Sequence, residues 1–338
     1  MALGYFLGIG GMAIEPTGAE FYEQYDVMRS WCDKVQSWTG FEMRSLFAED
    51  HRTSLAAGDL GASGEPADLS VRPDFLHRGA VRQVTHAIGI ADILAEQGIR
   101  PDLIAGTSLG GIVAACLAGS IGREDVFRLL ARVADFPLAP EGEPARGIAF
   151  AVLPPGVDID WYCGESRPHV YMAVDYELAG DTTALMLSGY LKDLESLAAE
   201  APPGHVPVVT GAIGGLHSPL QQFIPDLIKP YLDDITFSDP EVTLLSGIGG
   251  PLSKTGAQLK TGDDVRRGIL ENYVTPVGSF KQIIDAFDER GMQLAIGMGA
   301  ALPAGVPPSP FPVLQATVPD DIGQIMTTIY DLGIDVGG

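Results

Sequence analysis

The sequence predicts an α/β protein: a mostly parallel, doubly wound sheet flanked by helices, with a small sheet-and-helix subdomain inserted in it. Three observations carry this expectation. Short apolar runs alternate with stretches of helical periodicity over most of the chain, the pattern of strands joined by crossover helices. One such unit, Asp102–Ala118 (DLIAGTSLGGIVAACLA), encloses the glycine-flanked turn Gly106-Thr107-Ser108-Leu109-Gly110 between a strand-like and a helix-like run. From Pro137 to Pro144 the composition turns to Pro, Glu and Gly, and strand-like runs dominate the next stretch.

Tyr5–Leu7 reads as a buried strand running into Gly8-Ile9-Gly10-Gly11, whose glycines free backbone N–H groups to face a ligand. Phe21, Tyr25, Met28, Trp31, Val35 and Trp38 recur at three- and four-residue spacing and predict one amphipathic helix after Pro16-Thr17, its aromatic stripe facing the core. Residues 48–73, rich in Gly, Asp, Ser and Pro, predict a surface loop. Val84, Ala87, Ile88, Ala91 and Leu94 predict a helix over 81–97, closed by Gly98 as C-cap. A strand at 103–105 and helices at 112–118 and 123–136 follow. After the linker come strands at 148–153, 170–176 and 183–187, a helix at 192–201 and a strand at 206–209. The return through Gly211–Pro219 leads to a helix (220–232), a strand (242–245), a helix from Pro276 to Arg290, a strand (294–296) and a last helix (320–332). Residues 1–137 and 211–338 therefore form the expected large domain and 138–210 the small one. No internal repeat is visible.

With 338 residues, 46% of them hydrophobic, the chain can bury a large core. A net charge of −23 opposes attraction to nucleic acid or anionic membranes, so neither is expected as a partner. The three cysteines, Cys32, Cys116 and Cys163, are scattered without a C-x-x-C, which fits a reducing cytoplasm. Cys116, in the apolar helix after Ser108, reads as a small buried hydrophobe. No run has the character of a signal peptide or a membrane span. The expectation is a cytoplasmic monomer with no metal.

Ser108 is the residue whose setting predicts chemistry. G-x-S-x-G between strand and helix is the context of a nucleophile elbow, in which the serine projects into a cleft at the positive end of the following helix. Leu109 N–H then points where an oxyanion would form. A serine nucleophile needs a base, and there are six histidines. His51 and His77 lie in or beside the polar loop, His86 within a helix, and His169 and His205 in turns of the small subdomain. His217 differs: it follows two glycines and precedes Ser218-Pro219 at a helix start. A hydrolase triad would place its histidine last, after an acid. With no histidine beyond His217, a Ser–His dyad fits the order better.

These residues resemble the malonyl-CoA:acyl carrier protein transacylases and the acyltransferase domains of polyketide synthases, nearly end to end. Phe6-Leu7-Gly8-Ile9-Gly10-Gly11-Met12 is similar to the family's FPGQGSQ loop, Gly106–Gly110 to its GHSLG, and Leu216–Pro219 to its FHSP. Tyr273–Val277 (YVTPV) is similar to LYNPV, and Ile296–Leu302 (IGMGAAL) to VGPGKVL. The resemblance implies a hydrolase-like α/β domain with an inserted ferredoxin-like subdomain. It implies Ser108 as acyl acceptor, His217 as base, the backbone N–H groups of Ile9 and Leu109 as oxyanion hole, and the Thr275 carbonyl orienting His217. No cofactor is held permanently; the acyl group arrives as a thioester on the phosphopantetheine of an acyl carrier protein or of CoA.

Three departures bear on the acyl group. The arginine that holds a malonyl carboxylate in the family aligns with Val133, and the adjacent Arg132 is turned by about 100° along a helix. The family's HAFH or YASH tetrad is Gly214-Gly215-Leu216-His217, and its pocket glutamine aligns near Ala80. The expectation is a wider pocket with no carboxylate anchor, in a trans-acting enzyme that moves a non-malonyl group, aminoacyl or larger, between carriers in polyketide or antibiotic biosynthesis. The alternatives are an editing acyl hydrolase on the same fold and a noncatalytic carrier-binding module. Because carrier proteins are acidic, docking to a chain of charge −23 requires a local basic patch. Arg146 is the first candidate, and the stretch holding Lys254, Lys260, Arg266 and Arg267 the second.

Overall fold

A computed structural model describes residues 2–9, 18–48, 70–71, 75–153, 156–178, 183–211, 214–249, 254–299 and 307–336. The Gly10-Gly11-Met12 part of the first motif, residues 300–302 of the last, and most of the loop expected over 48–73, with His51, lie outside them.

The chain opens with β1 (Leu3–Ile9), the helices α1 (Gly18–Gln24), α2 (Asp26–Thr39) and α3 (Met43–Ala48), the short strand β2 (Ser70–Val71) and the long helix α4 (Phe75–Glu96). β3 (Leu103–Ser108) passes directly into α5 (Leu109–Leu117), and α6 (Arg123–Val133) follows. Next come β4 (Arg146–Leu153), the single turn α7 (Asp160–Cys163), β5 (Val170–Asp175), β6 (Thr183–Tyr190), α8 (Leu191–Glu200) and β7 (Val208–Gly211). A 3-10 turn (Pro219–Gln221) leads to α9 (Phe223–Asp234), β8 (Thr243–Leu245), β9 (Gln258–Leu259), α10 (Gly262–Glu271) and α11 (Phe280–Asp288). β10 (Leu294–Gly299), β11 (Val313–Ala316) and α12 (Pro319–Asp331) close the chain.

Among the described residues the main sheet has the order β11-β10-β1-β3-β8-β9. All its pairs are parallel except β8–β9. The second sheet has the order β2-β7-β4-β6-β5 and is antiparallel except for β2–β7. The architecture is thus α/β with a mostly parallel sheet and a separate antiparallel one. β2 comes from residues 70–71, well outside the stretch expected to build the small subdomain.

The expected aromatic stripe is buried: Phe21, Met28, Trp31 and Val35 are each at most 4% exposed. It is split over two helices, because Tyr25 adopts an extended conformation (φ −116°, ψ 123°) between α1 and α2. Both faces of the second sheet are apolar, with the two-residue alternation of a strand. Ala149 and Ala151 pack with Leu194 and Leu197 of α8, whereas Ile148, Phe150 and Met186 pack with Val277 and Leu216 of the return segments. Bridges from Val277 to Val174 and to Ile248 tie the two sheets together. They also delay α11, expected from Pro276, until Ser279 caps it in a reciprocal box with Gln282. Among the described residues, no helix is long and apolar enough to cross a membrane, and no cluster of three or more His, Cys, Asp or Glu could hold a metal ion.

Candidate active site

The β3–α5 junction is an elbow. Ser108 has φ 53° and ψ −127°, in a region that costs a non-glycine residue roughly 1–3 kcal/mol, and it caps the N-terminus of α5. Close backbone contacts hold it there. A Cβ at Gly106 would lie 2.1 Å from the Gly110 carbonyl oxygen, and one at Gly247, just past β8, would lie 1.9 Å from the Gly106 oxygen. Only glycine permits either approach.

His217 meets this serine from the return segment. Ser108 Oγ and His217 Nε2 are 2.8 Å apart, and His217 Nδ1 is 2.7 Å from the Asn272 carbonyl oxygen. A carbonyl can only accept, so Nδ1 carries the ring proton and Nε2 presents its lone pair to the serine hydroxyl, which donates. His217 is 7% exposed, and burial pushes its pKa from 6.5 down to about 4, the Asn272 bond opposing only in part. At neutral pH the ring is an uncharged, oriented proton acceptor.

The orienting carbonyl belongs to Asn272, not to Thr275 as the motif alignment implied. The chain keeps turning after α10: Thr275 N–H and Oγ1 both donate to the Glu271 carbonyl, at 3.0 and 2.7 Å, so the carbonyl left facing His217 lies three residues earlier. The backbones expected to form an oxyanion hole stand beside the serine. Ile9 is the register partner of Ser108 across β1 and β3, and Leu109 is the first residue of α5.

Around this centre two expectations change. The glycines of the tetrad do not leave open space. A Cβ at Gly214 would lie 2.4 Å from Gln221 Nε2 and one at Gly215 3.0 Å from a Leu220 methyl, so neighbouring side chains have folded into the room of the missing ones. Arg146 is not a docking residue, because its side chain is 5% exposed. Val133 is half-buried against the main core, Leu216 packs on the second sheet, and Ala80 is half-buried in α4. Arg132 is engaged elsewhere: its Nε donates to the Tyr231 hydroxyl at 2.6 Å, its guanidinium lies over that ring, and Asp135 pairs with it at 3.4 Å. Arg266 pairs with Asp233, and the exposed Arg267 with Asp264.

A cavity of about 40 Å³ adjoins Ser108, walled by Gly111, Ile112 and Ala115 of α5, Leu245 and Gly247 of β8 and its continuation, and Val265, Ile269 and Asn272 at α10. No charged side chain lines it among the described residues. Burial pushes the thiols of Cys32 and Cys116 up to about 12 and that of Cys163 to about 11, so none is a competing nucleophile. Sequence reasoning missed Asn272 and the fully buried Ser188, whose Oγ donates to the Leu216 carbonyl. Asn272 was within reach: Thr261 and Asp264 form a capping box, and Val265 and Ile269 repeat at helical spacing just before it.

No family model matches the chain. It is 24% identical over 298 residues to the malonyl CoA-acyl carrier protein transacylase of Bacillus subtilis, covering 83% of this chain and 81% of that one. It is 27% identical over 171 residues to the spectinabilin polyketide synthase system protein NorC of Streptomyces orinoci, covering 50% of this chain but only 7% of that much longer protein. Among solved structures, a malonyl-transacylase in complex with its type II polyketide synthase acyl carrier protein superposes with a TM-score of 0.74 at 15% identity, over 97% of this chain and 100% of that one. In sequence the chain is similar to the malonyl CoA-acyl carrier protein transacylase and to part of a polyketide synthase protein, and in fold to malonyl-CoA:acyl carrier protein transacylases.

Proposed function

We propose that the chain is an acyl carrier protein transacylase working by ping-pong transfer. The observation that carries this is the 2.8 Å contact between a strained elbow serine and a buried, neutral histidine. His217 Nε2 takes the Ser108 proton as Oγ attacks the thioester carbonyl, whose oxygen turns toward the backbone N–H groups of Ile9 and Leu109. The C–S bond breaks and the leaving sulfur takes the proton from His217. In the second half the acceptor phosphopantetheine thiol gives its proton to His217, its sulfur attacks the Ser108 ester, and Ser108 Oγ recovers the proton. No permanent cofactor enters this cycle.

The proposed acyl group is not malonyl. Arg132 is committed to Tyr231 and Asp135, Val133 packs against the core, and among the described residues the cavity beside Ser108 has no cation to meet a carboxylate. Among the described residues no carboxylate lines it either. The relative solved with its acyl carrier protein supports a carrier as acceptor. Of the basic candidates, Arg267 keeps 57% of its side chain exposed and is the proposed docking contact.

Single-turnover partition of the loaded enzyme tests the assignment. Pre-formed acyl-enzyme mixed with a carrier protein should pass its acyl group to the thiol much faster than to water. Release mainly to water would make the chain an acyl hydrolase, and failure to load would leave a binding module.

A further inference from the structure

His217 is a non-glycine residue at φ 53°, so the backbone that carries the base must be held from outside. Two buried donors do this, both on the second sheet. Ser188 Oγ donates to the carbonyl of Leu216, immediately before the histidine. Arg146 Nη1 donates to the carbonyl of Leu220, three residues after it. The donors sit on adjacent strands, where Ile148 pairs with Ser188 and Arg146 with Tyr190, so they reach the segment from neighbouring points of one rigid surface. Within the turn, Ser218 Oγ closes back on the Gly215 carbonyl at 2.7 Å.

The environment of Arg146 is unusual for an arginine. Its side chain is 5% exposed, and among the described residues it pairs with the carboxylate of Glu143 only at 3.8 Å and its Nε has no hydrogen-bond partner. The guanidinium lies 5.2 Å over the Phe223 ring. Taking a guanidinium out of water is costly unless its charge and donors are met. Here its hydrogen bond goes to the main chain beside the catalytic base rather than to a closely paired acid. We propose that Arg146, with Ser188, is a positioning residue for His217: the second sheet sets the backbone of the base, while Asn272 on the main-sheet side sets its ring. The line from Ser108 to His217 then depends on how the two sheets sit against each other.

This proposal rests on Ser108 and His217 acting as nucleophile and base, and its first test needs neither the acyl donor nor the carrier. A small sulfonyl fluoride such as phenylmethylsulfonyl fluoride modifies a serine at a rate that reads its activation by histidine. Arg146→Met, which keeps length and loses the donors, should lower that rate about 10- to 100-fold, as displacement of a catalytic group by about 1 Å does. Arg146→Lys, which keeps a cationic donor, should recover part of it. Thioester kinetics should show the loss in kcat with KM little changed, and the His217 titration followed by NMR should move up from about 4 toward 6.5 as the ring is released. If Arg146→Met does not fold, Ser188→Ala removes the other donor and should slow modification by the same mechanism. Wild-type modification rates in a folded Arg146→Met, or in Ser188→Ala, overturn the proposal while leaving the nucleophile intact. A wild-type protein inert to the reagent overturns the nucleophile assignment, and the positioning role with it.

Discussion

Ser108 and His217, 109 residues apart, meet at 2.8 Å, and each holds a φ of 53° that few non-glycine residues adopt. Two strained backbones aimed at one hydrogen bond mark where the fold spends stability on chemistry. Replacing the base while keeping its bulk should therefore separate the two. His217→Gln is expected to slow acyl-enzyme formation by about 10² to 10⁴, the span of a lost general base, with a melting temperature no lower than the wild type's. Rapid-quench measurement of loading checks the first part and calorimetry the second.

The depressed histidines make a statement about pH. His217 and His86 are both held near 4, against 6.5 in an unfolded chain, by burial. Between those values the unfolded state binds more protons, so stability falls as pH drops from 6.5 to 4, by roughly 3 kcal/mol for each group at about 1.4 kcal/mol per unit. Loading of Ser108 should stay flat down to about pH 5 and fall through about 4. His86 lies against Phe21 and Phe47 with Nε2 unpartnered among the described residues, so His86→Leu should remove about half of the acid destabilisation without moving the loading profile. Chemical denaturation at pH 7 and pH 5 gives the comparison.

Restoring the relatives' residue type at Val133 should not restore a carboxylate anchor. Val133 is half-buried against the core at the end of α6, so Val133→Arg is expected to cost about 1 kcal/mol and to leave malonyl thioesters no better as donors than before. A competition assay between malonyl-CoA and acetyl-CoA decides this. Preferential malonyl loading, by the wild type or the variant, would show that Arg132 or another cation reaches the acyl group.

Glycines that look alike in the sequence should respond in opposite directions. Gly106→Ala drives a methyl into the Gly110 carbonyl and should abolish loading and lower the melting temperature sharply. Gly323, inside α12 with nothing within 4 Å of an added Cβ, should gain about 0.5–1 kcal/mol on mutation to Ala. Thermal melts of the two variants suffice.

Much of the centre was legible because its signals are local. G-x-S-x-G between a strand and a helix is a local signature of an elbow, and His217 stood out by its glycines and its place in the order. What escaped depends on distant chain. Gly214 and Gly215 read as lost side chains, but whether space opens is decided by where Gln221 and Leu220 fold. Arg146 read as surface charge because nothing near it reveals that the Leu220 carbonyl and the Phe223 ring cover it. β9 and β11, of two and four residues, are too short for periodicity to show. The Lys254–Arg267 stretch drew attention to its charge and away from α10, the helix that presents Asn272.

The measurement that bears most directly on the account is the intact mass of the protein after incubation with a panel of acyl thioesters. Wild-type protein should gain one acyl mass with an uncharged donor and lose it on addition of a carrier thiol, and Ser108→Ala should gain nothing. An unchanged mass shift in Ser108→Ala would place the acyl group elsewhere and contradict the site described here.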